Sequence, residues 1–143
     1  MKVFIIFLGM LIINISFMSY QGDMGRYIQC QAFLKAVAEE CAAGAALYYD
    51  EAAYSDGWFQ FSYEEGHKYI DFIIDKSKKK MPLPEDSILS YEAFFEDDAS
   101  GYESDNRTPS VTVEITAVTK DIFSLPFIEV TQVERAAKYE LPQ

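Results

Sequence analysis

Val3-Phe4-Ile5-Ile6-Phe7-Leu8-Gly9-Met10-Leu11-Ile12-Ile13-Asn14-Ile15-Ser16-Phe17-Met18 runs without a single charge, with Lys2 before it and Asp23 the next charged residue after it. Counted to Gly22, the uncharged stretch is about 20 residues, or ~30 Å as a helix, which matches the hydrocarbon core of a bilayer. The stretch predicts a transmembrane anchor over residues 1–22, followed by one soluble domain over 23–143. A cleaved secretory signal is the competing reading, but its apolar core would be unusually long and no A-x-A-like site follows it. Only Lys2 and the free amine precede the span, and the rest of the chain is acidic. The positive-inside rule therefore expects a single-pass protein of the cell membrane, with the N-terminus cytoplasmic and the domain extracytoplasmic.

Asn14 interrupts the apolar run. An amide in hydrocarbon is costly unless it finds a partner, and in membrane helices that partner is often a neighbouring helix. Asn14 is therefore a candidate assembly contact. The alternative is a place close enough to the outer interface to meet water.

Outward from the span, residues 23–52 carry Ala32, Ala36, Ala38, Ala42, Ala43, Ala45 and Ala46 among Leu34, Lys35, Glu39 and Glu40, all good helix formers. Cys30, Leu34, Val37, Cys41, Ala45 and Tyr48 recur at steps of three and four, one apolar stripe. The expectation is a single helix of about 45–50 residues, half in lipid and half amphipathic. Cys30, Leu34, Val37, Cys41 and Ala45 are the further candidate assembly contacts. The chain has two cysteines. On one helix they are separated by about 16 Å of rise, too far to bond to each other, yet they share a face. Buried thiols and a bond between subunits are both compatible with that spacing.

Beyond this helix, Tyr54-Ser55-Asp56-Gly57 reads as a turn and Trp58-Phe59-Gln60-Phe61 as a short strand. Ser62 is placed to cap a second helix with Glu64 and Glu65 in its first turn, Tyr69, Ile70, Phe72, Ile73 and Ile74 inward, and Lys76, Lys78, Lys79 and Lys80 at its end. Pro82 and Pro84 stop it. Residues 88–95 read as a strand. Val111, Val113, Ile115 and Ala117 alternate with Thr112, Glu114 and Thr116, a half-buried antiparallel strand. Residues 122–127, with Pro126, read as a connection, and a last strand ends near Tyr139. The fold class is α+β: a long helix laid on a small antiparallel sheet, with a second short helix.

The net charge of −11 argues against nucleic acid as a partner. His67 is the only histidine, no phosphate-binding glycine loop is present, and the cysteine spacing is no zinc signature. No cofactor and no catalytic centre are expected. The acidic stretch 96–106 reads as an exposed charge run. Its EF-hand count fails at Arg107, where a bidentate Glu belongs; a looser set of Asp97, Asp98, Glu103 and Asp105 leaves weak Ca²⁺ binding open. Asn106-Arg107-Thr108 fits the glycosylation pattern, of consequence only in a glycosylating host. The aromatics of Tyr48-Tyr49-Asp50-Glu51-Ala52-Ala53-Tyr54 suit either the edge of the core or a contact surface.

The layout of an apolar N-terminal helix running into Ala36-Val37-Ala38-Glu39-Glu40-Cys41-Ala42-Ala43-Gly44-Ala45-Ala46, then Tyr54-Ser55-Asp56-Gly57 and a C-terminal strand pair ending Ala136-Ala137-Lys138-Tyr139-Glu140-Leu141, resembles the TadE-like minor pilins of tight-adherence pilus systems. The resemblance implies a membrane-anchored subunit that assembles through its N-terminal helix with other pilin-like subunits and the pilus assembly machinery, building or priming a cell-surface filament. The sequence departs from the pilin pattern in one respect: the apolar run begins at Val3 and no Glu lies between residues 1 and 38. The resemblance therefore fits an accessory member better than a major pilin. A membrane-tethered binding module, and a small secreted domain with a cleaved signal peptide, are the alternatives.

Overall fold

The computed structural model describes residues 1–142. Helix α1 runs unbroken from Lys2–Ala45, followed by α2 (Glu51–Ser55), α3 (Tyr63–Lys78) and strands β1 (Ile88–Glu96), β2 (Ser110–Val118) and β3 (Gln132–Glu140). The strands form an antiparallel meander in the order β1-β2-β3, with Tyr91 opposite Ile115 and Ile115 opposite Arg135. The C-terminal part of α1 lies across β2 and β3, with α3 packed beside it and against β1. This is the expected α+β arrangement.

At 1.5 Å per residue, 44 residues make a rod of about 66 Å. Its two halves bury differently. Residues 3–15 are exposed throughout, and Asp23 is the first buried residue. Beyond it Cys30, Leu34, Val37, Ala38, Cys41, Ala42 and Ala45 are buried at helical spacing. They meet Ile70, Ile73 and Ile74 of α3 and the inward row Val111, Val113, Ile115 and Ala117 of β2 in one apolar cluster. A large aliphatic side chain so enclosed contributes about 1.5–3 kcal/mol relative to exposure. Small residues on α1 let α3 come close. A Cβ built on Gly44 would stand 2.0 Å from a ring carbon of Tyr69, so that glycine serves a close approach.

Four local expectations are corrected. First, α1 ends at Ala45 instead of continuing to residue 52, and Tyr48 lies beyond it, exposed. Residues 60–62 draw the backbone away: the Ser62 N–H donates to the Tyr48 carbonyl and the Asp50 N–H to the Gln60 carbonyl, each at 2.9 Å. Asp50 then caps α2 by accepting from the Ala52 and Ala53 N–H groups. Second, Trp58-Phe59-Gln60-Phe61 is not a strand of the sheet; a single bridge joins Tyr49 to Phe61. Third, Phe72 points outward from α3, 63% exposed. Fourth, Ser62 is the first residue before α3 but its side chain makes no capping bond.

Candidate functional site: the apolar rod and its collar

The exposed half of α1 contains an 18-residue window of mean hydropathy 2.2, none of it buried in the chain, so one helix is long and apolar enough to cross a membrane. Large side chains project all round it, among them Phe4, Ile5, Ile6, Phe7, Ile12 and Ile13. A helix that is apolar on every face is stable only in an apolar surrounding. Asn14 is exposed on this rod, and its Nδ2 donates to the Met10 carbonyl at 2.8 Å. Part of the amide is thus satisfied within its own helix, which lowers the cost of placing it in lipid.

Where the rod meets the domain, a collar forms that the sequence reading did not find. Asp23 is 6% exposed, and its Oδ2 accepts the Ser124 N–H at 2.8 Å, a contact spanning 101 residues. Phe123 is buried and its ring lies 5.9 Å from Tyr20 and 6.2 Å from Tyr27. Gln31 Nε2 donates to the Tyr27 hydroxyl at 2.8 Å. Asp121 shapes the loop that brings Phe123 here, accepting the Phe123 and Val130 N–H groups at 3.1 and 2.9 Å. The only local sign of this collar was Asp23 itself, the first charge after the apolar run and close to two tyrosines.

The remaining candidate assembly residues lie elsewhere. Cys30, Leu34, Cys41 and Ala45 are fully enclosed and Val37 is 5% exposed. In the folded domain this stripe faces α3 and the sheet, and only Asn14 stands on an open surface. Both cysteines are free thiols. Burial, with Glu40 adding to it, pushes the Cys41 thiol up to about 12, and burial raises Cys30 as well. Enclosed thiols of this kind are poor nucleophiles.

The acidic stretch is not uniformly exposed. Asp97 is wholly buried and organises the distal end of the domain. Its carboxylate accepts the Phe61 N–H at 2.9 Å, the Tyr63 hydroxyl at 2.8 Å, and the Ala99 and Ser100 N–H groups at 3.1 and 2.7 Å. Burial alone pushes its carboxyl up, but these donors together outweigh that and hold it below the usual range. Asp98 accepts the Phe59 N–H at 2.8 Å and the Tyr102 hydroxyl at 3.0 Å. Two members of the proposed Ca²⁺ set are therefore engaged by protein donors, and among the described residues no three acidic, His or Cys side chains gather as metal ligands.

His67 is exposed on α3, its Nδ1 3.3 Å from the Tyr91 hydroxyl, which in turn donates to Asp71 at 2.9 Å. At the distal end Tyr49, Tyr54 and Phe59 pack against one another, beside Trp58, which is half exposed. These aromatics are a local cluster at the edge of the core with an open side.

No protein-family model matches the chain, and the curated proteins and solved structures likewise contain no match.

Proposed function

We propose that this protein is a membrane-anchored extracytoplasmic subunit of minor-pilin type, which works by assembly through its N-terminal helix and carries out no reaction. The observation that carries the anchored reading is the continuity of α1 through residue 22, with contacts made on both sides of that point. Tyr20 packs on Phe123, and Asp23 holds Ser124. Cleavage at residues 20–23 would cut the helix, separate Tyr20 from its partner and leave Asp23 at a frayed end, where a signal peptide ordinarily leaves the mature fold untouched. Lys2 and the free amine on the short N-terminal end favour that end inside and the domain outside.

The assembly reading rests on the shape of the molecule. The domain attaches to the distal half of one rod, and the proximal half, apolar on every face, is left for lipid or for other helices. The same arrangement is what the likeness to TadE-like minor pilins implies, with other pilin-like subunits and the assembly machinery as partners.

Disulfide crosslinking in native membranes tests it. Single cysteines placed in turn along residues 3–18 should give crosslinked neighbours at helical intervals, against a low background because Cys30 and Cys41 are enclosed. Absence of crosslinks at every position, in a protein that still fractionates with membranes, would favour a tethered binding module instead.

A further inference from the structure

The β2–β3 connection ends in a tip, Leu125-Pro126-Phe127-Ile128, closed by the Ile128 N–H donating to the Leu125 carbonyl at 3.2 Å. Phe127 is 94% exposed, more than any other large apolar side chain beyond the anchor among the described residues. Exposure of a lone apolar side chain is ordinary; its placement here is not. The residue at the root of the tip, Ser124, is bonded to Asp23, one position past the uncharged run, and its neighbour Phe123 reaches back to Tyr20. The root of the tip is therefore held at the point where the uncharged run of α1 ends.

The charge pattern agrees. Residues 122–128 carry no charge in a chain of net −11. Of the two carboxylates that flank it, Asp121 is turned onto the Phe123 and Val130 N–H groups, while Glu129, next after Ile128, is exposed and marks the polar edge of the tip. Tyr side chains such as Tyr20 and Tyr27, beside the root, are favoured at headgroup level, and an apolar ring such as Phe127 is favoured just below it, at the boundary with the acyl chains.

We propose that the β2–β3 tip is a second lipid contact: Phe127, with Leu125 and Ile128 beside it, enters the interfacial layer of the bilayer that α1 spans. This rests on the anchored reading. Its occupant is lipid because the tip is rooted, through Phe123 and Ser124, on the stretch of α1 where the apolar rod ends. A rod alone leaves the domain free to rotate and tilt about one axis. Two contacts, joined by the Asp23–Ser124 bond, fix which face of the domain is turned along the membrane and which is presented to neighbours.

The test uses the full chain in phosphatidylcholine vesicles. Trp58 is the only tryptophan and belongs to the far end of the domain, so Trp58→Phe gives a silent background for Phe127→Trp and, separately, Phe7→Trp. Lipids brominated near the glycerol end or near the methyl end of the acyl chain report depth. The tryptophan at 127 should emit at shorter wavelength than native Trp58 and lose most intensity to the shallow bromines; the one at 7 should also be quenched. If the residue at 127 behaves like Trp58, or shifts without bromine quenching, while the residue at 7 is quenched, the tip contact is wrong and the anchor stands. If neither is quenched, the anchored reading fails and the tip proposal with it.

Discussion

Replacing Asp97 by Asn changes one oxygen to a nitrogen and almost nothing in volume, which makes it a sharp probe of the distal end of the domain. In the parent, Oδ1 accepts the Ala99 and Ser100 N–H groups and Oδ2 accepts the Phe61 N–H. With the amide oxygen kept toward residues 99 and 100, the new NH₂ meets the Phe61 N–H, donor against donor, at a wholly buried site. A hydrogen bond to a charged group contributes about 1.5–3 kcal/mol, and a buried donor left unpaired costs about 1–3 kcal/mol. The two effects overlap, so Asp97→Asn should cost about 2–4 kcal/mol, a large share of the 5–15 kcal/mol typical of a domain. For a domain of this size that lowers Tm by roughly 8–16 °C. The assay is thermal unfolding of full-length protein in detergent micelles, followed by near-ultraviolet circular dichroism. The pH dependence has a definite sign. Because the Asp97 carboxyl is held below its ordinary value, its contribution is complete above about pH 3.9 and is lost as the pH falls through the folded value. The gap between parent and Asp97→Asn should therefore narrow on acidification. A variant within about 0.5 kcal/mol of the parent, or a gap that does not change with pH, would refute the role given to this carboxylate.

Native Cys30 and Cys41 should alkylate slowly, and raising the pH through the ordinary thiol range near about 8.5 should not speed the reaction, since burial holds both above it; unfolding should release both, with no disulfide by intact mass. Gly44→Ala would place a methyl 2.0 Å from Tyr69 Cε1 and should destabilise by about 1–3 kcal/mol despite the better helix propensity of alanine. Adding Tyr69→Ala should relieve part of that cost, measured as coupling in a double-mutant cycle by urea unfolding. Asn14→Leu should weaken helix association by about 0.6 kcal/mol, and by no more than roughly 2, while insertion improves. The bond to Met10 leaves only part of the amide for a neighbour, so a membrane-helix association assay showing no change would assign Asn14 to local satisfaction alone.

The sequence was most legible where burial follows a short period. Cys30, Leu34, Val37, Cys41 and Ala45 repeat at helical steps, and Val111 to Ala117 alternate, because each set covers one face of one element. Phe72 was misplaced because apolar type alone does not set direction: it lies about 200° around the helix from Ile70, opposite the buried side. Trp58-Phe59-Gln60-Phe61 alternates like a strand, yet the Phe59 and Phe61 N–H groups are taken by the side chains of Asp98 and Asp97. Partners 36 and 39 residues away leave no trace in a local pattern. The same distance hid the burial of Asp97 inside an acidic run. For the candidate site, the apolar rod was plain from composition, whereas its collar was not, since Phe123 and Ser124 reach Asp23 only through the tertiary fold.

The central claim, that the N-terminal segment is kept as a membrane anchor, is tested most directly by intact mass of the native protein taken from fractionated cells. The account predicts a membrane-bound species that withstands alkaline extraction and retains residues 3–22, close to the 16.3 kDa of the chain. A soluble secreted species beginning near residues 20–23 would contradict it.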